Sequence, residues 1–257
     1  GNLIAAVQRK YNESPDLVFF ERNGLRRGEF SLRVEPENQV LGLDWNVDSD
    51  TLAVLLSDRV QLWTTKNYHW YLKSEVFPPK PSAASPIFMA WHPEKPHTLV
   101  INYDDGSVEI QDYIWDIYRG ATSGPTDIGL TMVVDGSNIN LTPLSLANTP
   151  PPMSFRSLRI SSTPRHVAVS RSNSFFAVLT ASTLEIAKWD VSVASKGIRL
   201  VKDPNTVAIF DYVEIFEGLG WEIPHQVTFI GEDLVVLVAD KSDKRCQYGL
   251  DQVKRGR

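Results

Sequence analysis

Hydrophobic and polar residues alternate in short blocks along residues 40–76, and this stretch sets the interpretation of the whole chain. The blocks predict four strands in a row, at residues 40–45, 51–56, 60–65 and 68–76. Each block is rich in branched and aromatic residues and is bounded by Asn, Asp, Ser or Lys, which is typical of strands and their turns. Such a meander, apolar on both faces, cannot bury itself alone. It therefore needs similar sheets on each side, as a β-propeller blade does.

Strand patterns also precede this stretch. Residues 3–8, 17–21 and 29–34 are predicted strands, and the Asn23-Gly24 dipeptide between the last two predicts a type I′ hairpin turn. These three strands indicate a blade of which a fourth strand would lie upstream. Since the chain begins inside a strand pattern, we expect it to be part of a longer protein.

Residues 86–115 repeat the pattern after a proline-containing linker. Trp45 and Trp91 both end an apolar block before a polar turn, and they lie 46 positions apart. This spacing is close to the roughly 40–45 residues of a propeller blade. We expect Trp45 and Trp91 on inner strands in equivalent, buried positions, and Trp63 in the same blade core.

The regular succession of predicted strands becomes less clear after Trp115 and resumes beyond residue 160. A hairpin is predicted at Asp135-Gly136, and three consecutive prolines follow at 150–152, where no residue can donate a ladder hydrogen bond. We interpret this proline run as the crossing between two domains. The prediction is an all-β chain of WD-repeat-like β-propeller blades, in which residues 1–149 end one propeller and residues 150–257 begin a second.

Composition narrows the function only modestly. The 257 residues carry a net charge of −5, so no overall positive field attracts nucleic acid. One cysteine, Cys246, excludes an internal disulfide and fits a reducing compartment. No apolar run approaches the roughly 18 residues of a membrane span, so we expect no membrane partner.

Motifs for catalysis and cofactor binding are absent from the sequence. It contains neither a glycine-rich phosphate loop nor a GxSxG elbow, and we expect no cofactor. His92 and His97 lie among prolines that preclude a shared helix face, so turn roles are favoured over a metal site. Asp44, Asp48 and Asp50 permit a calcium interpretation, but they lack the glycine and distal glutamate of a calcium loop. Backbone-capping turns are the favoured interpretation of these aspartates.

Two clusters combine positive charge or aromatic rings with predicted hairpins. Arg22, Arg26 and Arg27 surround one hairpin, and Tyr68, His69 and Lys73 lie with Lys66 and Trp70 at another. Rings mixed with cations are typical of surfaces that bind single-stranded nucleic acid. Ordinary solvation and core packing remain the favoured interpretation, with a partner or RNA contact as the alternative. The basic residues near the end, from Lys241 to Arg257, are interpreted as a polar terminus.

Three stretches resemble the family of the largest Elongator subunit, the IKAP family. These are LVFFERNGLRRGEF at 17–30, VQLWTTKNYHWYLK at 60–73 with the preceding LDWNVDSDTLAV, and PPPM at 150–153 after a matching hairpin at 134–138. The NYHWYLK run is the most specific of them. The resemblance covers most of residues 1–190.

The resemblance implies a non-catalytic scaffold with two N-terminal propellers, followed by helical repeats through which the full-length protein dimerises. The family's complex modifies wobble uridines of transfer RNA, and another subunit, with radical-SAM and acetyltransferase-like domains, supplies the chemistry. The resemblance also implies that this region docks other Elongator subunits, including the catalytic one, in the cytoplasm or also the nucleus. Because the family's dimerisation region and RNA-touching basic segment are not among these residues, we expect transfer RNA contact here to be indirect or weak.

Three hypotheses follow from these observations. The first is a scaffold that docks other Elongator subunits through blade faces and edges. The second is a direct RNA-binding propeller module that uses the arginine hairpin and the NYHWYLK strand. The third, a propeller enzyme, would need carboxylates or histidines that converge on a central channel, and the scattered histidines disfavour it.

Overall fold

A computed structural model describes the chain over ten ranges. They are residues 3–66, 68–78, 84–114, 128–191, 193–194, 197–198, 201–211, 224–232, 234–238 and 246–249. Every regular element within these ranges is a β-strand, and no described residue is helical. The all-β prediction is confirmed. The chain divides into two compact units, Gly1–Trp115 and Asp116–Arg257.

The first unit contains three antiparallel sheets within its described residues. The first sheet comprises β1 (Leu3–Gln8), β2 (Asp16–Glu21) and β3 (Arg26–Ser31). The second comprises β4 (Val40–Trp45), β5 (Thr51–Leu56), β6 (Val60–Lys66) and β7 (His69–Val76). The third comprises β8 (Pro86–Trp91), β9 (Thr98–Tyr103) and β10 (Val108–Asp112). The four-stranded meander predicted for residues 40–76 is therefore confirmed.

The second unit continues the pattern of short antiparallel strands. One sheet comprises β11 (Leu130–Asp135), β12 (Asn138–Pro143) and β13 (Arg156–Arg159). The next comprises β14 (His166–Val169), β15 (Phe175–Leu179), β16 (Thr183–Lys188) and β19 (Asn205–Asp211). Two smaller sheets comprise β17 (Val193–Ala194) with β18 (Gly197–Ile198), and β20 (Gln226–Ile230) with β21 (Leu234–Val238) and β22 (Cys246–Gly249).

Sheets within each unit pack face to face, as propeller blades do. All six residues of β5 are buried, because alternate side chains of this strand enter two different cores. Leu52, Val54 and Leu56 pack with the first sheet, whereas Ala53 and Leu55 pack with the third. The first strands of successive sheets are neighbours: β1 contacts β4, and β4 contacts β8. Each sheet thus covers an apolar face of the neighbouring sheet and removes it from solvent.

The hairpin between β2 and β3 differs from the predicted type I′ turn. Gly24 has φ +87°, but Asn23 does not adopt a positive φ, which a type I′ turn would require at both central residues. The Gly24 N–H donates to the Glu21 carbonyl (2.9 Å), and the Glu21 N–H donates to the Leu25 carbonyl (2.8 Å). These bonds define a type I turn followed by a glycine bulge. Consequently β3 begins at Arg26, three residues before the predicted start.

The domain boundary predicted at residues 149 and 150 falls inside a sheet. Strand β12 pairs with β13, and the three prolines lie in the connection between them. The chain divides earlier, between Trp115 and Asp116. A proline run can lie in any segment that forms no ladder hydrogen bonds. A long loop within one sheet therefore accommodates it as well as a linker between domains does.

Candidate functional site

The arginine hairpin carries less free positive charge than its sequence indicates. Arg26 pairs with Glu29, and the Arg27 Nε lies 2.5 Å from the Glu21 Oε1. All three arginines are exposed, and Arg22 forms no ion pair with any described residue. Three arginines and two glutamates give the hairpin a net charge of about +1. Exposed ion pairs of this kind contribute little to stability.

Strand β3, which carries Arg26 and Glu29, lies at the edge of its three-stranded sheet. An exposed edge offers unpaired backbone groups to any other strand, and charged side chains are a common protection against such pairing. The charges of β3 therefore have a structural role as well as a candidate contact role.

The hairpin between β6 and β7 separates the predicted contact residues into two environments. Tyr68 lies at the tip, with a fully exposed side chain (102%) and a positive φ of 62°. His69 instead lies edge-on to the buried Tyr71 ring at 4.6 Å, and the Lys73 Nζ lies 4.8 Å from the centroid of the same ring. His69 and Lys73 are thus brought together around Tyr71, while Tyr68 is presented to solvent.

An aromatic cluster in the first unit was not predicted from the sequence as a cluster. Five aromatic rings meet between the first and second sheets: Phe19, Phe30, Trp45, Trp63 and Trp70. Trp70 stacks on Phe19 (4.5 Å, 8° between planes) and on Phe30 (5.2 Å, 23°). Phe30 lies 4.4 Å from Trp63, and Trp45 lies 5.8 Å from Trp70. Such pairs add about 0.5–1.5 kcal/mol each beyond the area they bury.

The three tryptophans predicted for the blade core are buried to different degrees. Trp63 is fully buried and its indole N–H donates to the Gln61 side chain (3.1 Å). Trp91 is 8% exposed, whereas Trp45 is half-buried at the rim of the aromatic cluster. Trp45 and Trp91 occupy equivalent positions at the ends of β4 and β8, where each packs toward the preceding sheet.

Asp44 joins two neighbouring sheets, a role the sequence did not reveal. Its carboxylate accepts the Trp91 backbone N–H (3.0 Å), and its carbonyl accepts the Trp91 indole N–H (3.2 Å). Asn46 adds a second link, since its side-chain amide donates to the Pro96 carbonyl (3.1 Å). The signal available in the sequence was the Asp-Trp-Asn order at the end of a strand, but its partner depends on which strands become neighbours.

Two of the side chains considered for metal binding, Asp50 and His92, are engaged in turns. Asp50 accepts from the Asn46 side chain (2.8 Å), and the His92 Nδ1 accepts the backbone N–H groups of Glu94 and Lys95, both at 3.1 Å. Within the described ranges, no group of three or more His, Cys, Asp or Glu side chains could hold a metal ion. The basic residues Lys241, Lys244, Arg245, Lys254, Arg255 and Arg257 lie outside the described residues. No described helix is long and apolar enough to cross a membrane.

Comparison with known proteins identifies the family. The model of the ELP1 first N-terminal beta-propeller matches residues 1–94, and that of the ELP1 N-terminal second beta-propeller matches residues 133–255. The chain belongs to the Elongator complex protein 1 family. Between them the two matches leave residues 95–132, and the division between Trp115 and Asp116 falls in this interval.

Curated members of the Elongator complex protein 1 family cover most of this chain. The protein of Saccharomyces cerevisiae is 40% identical over 245 residues, which are 93% of this chain and 17% of the relative. The protein of Schizosaccharomyces pombe is 39% identical over 213 residues, 77% of this chain and 16% of the relative. The chain therefore spans about a sixth of the length of these relatives.

One solved structure similar to the chain is the β-propeller domain of Cps50 (Swd1) from Myceliophteria thermophila. It is 13% identical, covers 98% of this chain and 81% of that domain, and has a TM-score of 0.34, too low to support an argument from shape. The predicted resemblance to the Elongator family is confirmed by the family matches. The motifs that carried it, at 17–30 and 60–73 with LDW before them, supply all five rings of the aromatic cluster.

Proposed function

We propose that this chain is a non-catalytic scaffold region of the Elongator complex, which docks other subunits and so supports wobble-uridine modification of transfer RNA. The observation that carries the proposal is the position of the family's most specific motifs in the structure. Five of their aromatic residues, Phe19, Phe30, Trp45, Trp63 and Trp70, hold two sheets together in the aromatic cluster. A rigid β framework of this kind presents its loops and edges in fixed positions.

The absence of catalysis in this region forms part of the proposal. Asp44, Asp50 and His92, which were considered for chemistry, accept hydrogen bonds that close turns or join sheets. Catalysis would require such groups to converge on a substrate within hydrogen-bond reach. We assign the chemistry to another subunit of the complex, in the cytoplasm or also the nucleus, and dimerisation to a region outside these residues.

The tip of the β6–β7 hairpin is the docking position in the first unit that we favour. Tyr68 exposes its whole side chain there, although an aromatic residue in a left-handed backbone conformation is uncommon. Tyrosine is enriched among the residues that dominate protein interfaces, since it buries a large area with few rotatable bonds. A partner that covers Tyr68 would bury the whole of this exposed aromatic side chain.

Mixing the chain with each purified Elongator subunit, followed by size-exclusion chromatography, tests the proposal. We expect one subunit to co-elute, and the Tyr68→Ala variant to weaken that complex on the order of tenfold. Tyr11→Ala is the matched control, because Tyr11 is also an exposed tyrosine (91%) of the same unit. Failure of every subunit to co-elute would refute the scaffold proposal, and equal effects of the two variants would refute Tyr68 as the docking position.

Direct RNA binding is the second candidate function. The observation that favours it is the basic and aromatic mixture of Tyr68, His69 and Lys73 on one hairpin, together with the exposed Arg22, which forms no ion pair with any described residue. RNA binding through several phosphates must weaken steeply as salt rises, whereas docking through an apolar or aromatic surface must not. Binding measured at several salt concentrations therefore separates the two functions.

A further inference from the structure

The connection between β12 and β13 combines exposure, apolar character and absence of charge. From Gly136 to Phe155 the sequence contains no Asp, Glu, Lys, Arg or His. Pro150, Pro151 and Pro152 are all exposed, and Met153 exposes 61% of its surface. Exposed loops of soluble proteins are usually polar, so an uncharged tip that exposes three prolines and a methionine requires an explanation.

Both ends of this loop are held firmly by the sheet. At the start, the N–H groups of Leu146 and Ala147 donate to the Pro143 carbonyl (2.9 and 3.0 Å). At the end, the Phe155 N–H donates to the Leu141 carbonyl (3.0 Å), and the Phe155 ring lies 6.5 Å from Trp189 in the core. The exposed tip between them is thus carried on fixed supports, which lowers the conformational entropy lost on binding.

The nearest charge in sequence is already neutralised. Arg156 follows the loop directly, and its Nε lies 2.8 Å from the Asp203 carboxylate. An acidic or phosphate-bearing partner would therefore find no free cation in the loop itself. Interface centres are depleted of charged residues and enriched in methionine, and proline-rich segments dock into grooves lined by aromatic side chains.

We propose that residues 148–153 form a docking loop for a partner protein that offers an uncharged groove lined by aromatic side chains. This inference rests on the proposed scaffold function and adds a second docking position, in the second unit. The proline rings supply apolar surface with little rotational freedom, and the Met153 side chain adapts to the groove. RNA is the alternative occupant, but it would require cations that the loop lacks.

Photo-crosslinking in the full-length protein, assembled in its complex, tests the docking loop. Met153 is replaced by a photoreactive phenylalanine derivative, the complex is irradiated, and the crosslinked peptide is identified by mass spectrometry. We expect a crosslink to one partner protein at a surface lined by aromatic side chains. A crosslink to RNA, to a charged surface, or to nothing but the chain itself would overturn the inference.

A charge substitution gives the quantitative arm of the same test. Met153→Asp should lower retention of the crosslinked partner on the order of tenfold, because it places an unpaired charge in an apolar contact. Ile230→Asp is the matched control, since Ile230 is another exposed apolar residue (55%) of the same unit, and we expect it to leave retention unchanged. If Met153→Asp leaves every subunit bound while Tyr68→Ala releases one, the docking loop is refuted and the scaffold function stands. If neither of the two variants nor the isolated chain binds any subunit, the docking loop and the scaffold function are both refuted.

Discussion

At the scale of single residues, side chains that looked available for contact are largely committed to neighbours. Arg26 and Arg27 face glutamates, and Lys73 covers a buried tyrosine ring. Trp63 satisfies its indole N–H through Gln61, whose own amide donates to Glu75 (3.1 Å). Burial without loss of hydrogen bonds is what allows polar groups inside a blade core.

Replacing Trp63 by alanine tests the importance of the aromatic cluster. The change removes a fully buried ring, and the Gln61 side-chain oxygen loses the indole N–H that donates to it. We expect it to lower the free energy of unfolding by about 3–5 kcal/mol. Chemical denaturation followed by circular dichroism measures this loss. An effect below about 1 kcal/mol, comparable with an ordinary surface substitution, would contradict the placement of Trp63 in the core.

Tyr103 gives a prediction for alkaline pH. Burial raises the pKa of its phenol well above the usual value of about 10, and the hydrogen bond it donates to Glu109 (2.6 Å) raises it further. A raised pKa in the folded state stabilises the protein below the unfolded pKa, and this contribution is lost as pH rises beyond it. Stability should therefore fall above about pH 10 more steeply in the wild type than in Tyr103→Phe.

Ultraviolet titration of the tyrosines checks the same claim directly. Because its pKa is raised, we expect Tyr103 to stay protonated while the protein is folded, so Tyr103→Phe should release as many phenolic protons as the wild type before unfolding. Loss of one titrating phenol in the variant within this range would show that Tyr103 ionises in the folded protein.

At the scale of elements, the turns show which sequence signals were sufficient. Alternation and turn residues predicted β4 to β7 closely, because each strand must bury branched and aromatic residues and each turn is local. The Asp135-Gly136 signal also produced a hairpin, in which Asp135 pairs with Asn138. The β2–β3 turn was misassigned, since Asn-Gly fits both a type I′ turn and a type I turn with a glycine bulge.

Contacts between elements could not be predicted from the sequence, for a physical reason. The link from Asp44 to Trp91 and the meeting of Phe19 with Trp70 depend on which sheets become neighbours. Nothing in local propensity encodes that choice. The pairing of Arg27 with Glu21 likewise depends on the register of the hairpin, which shifts between Phe19 and Phe20.

The β2–β3 hairpin permits a test with an internal control. Gly24 has a positive φ with open space around its Cβ position, and Gly28 also has open space but an ordinary φ. Gly24→Ala should therefore destabilise the protein by about 1–2 kcal/mol through backbone strain alone. Gly28→Ala should be neutral or slightly stabilising, because alanine suits a strand better than glycine. Equal melting temperatures for the two variants would contradict the assigned turn.

At the scale of the whole molecule, charge weighs against direct RNA binding. The net charge is −5, and the arginine hairpin adds only a small local excess. Neutralising one to three phosphates gives a logarithmic salt slope between about 1 and 3, which corresponds to weak affinity at physiological salt. We predict a slope in this range for transfer RNA, measured by fluorescence anisotropy at several salt concentrations. A slope of about 6 or more would indicate an extended phosphate-binding surface.

The most direct test of the scaffold claim compares two dissociation constants in one buffer at about 0.15 M salt. One is for transfer RNA, and the other is for the Elongator subunit that the chain binds most tightly. We predict high micromolar or weaker binding of transfer RNA, tighter binding of the subunit, and no change in the subunit's affinity when Arg22, Arg26 and Arg27 are all replaced by glutamate. A submicromolar complex with transfer RNA that this triple replacement abolishes would contradict the scaffold function and establish direct RNA binding.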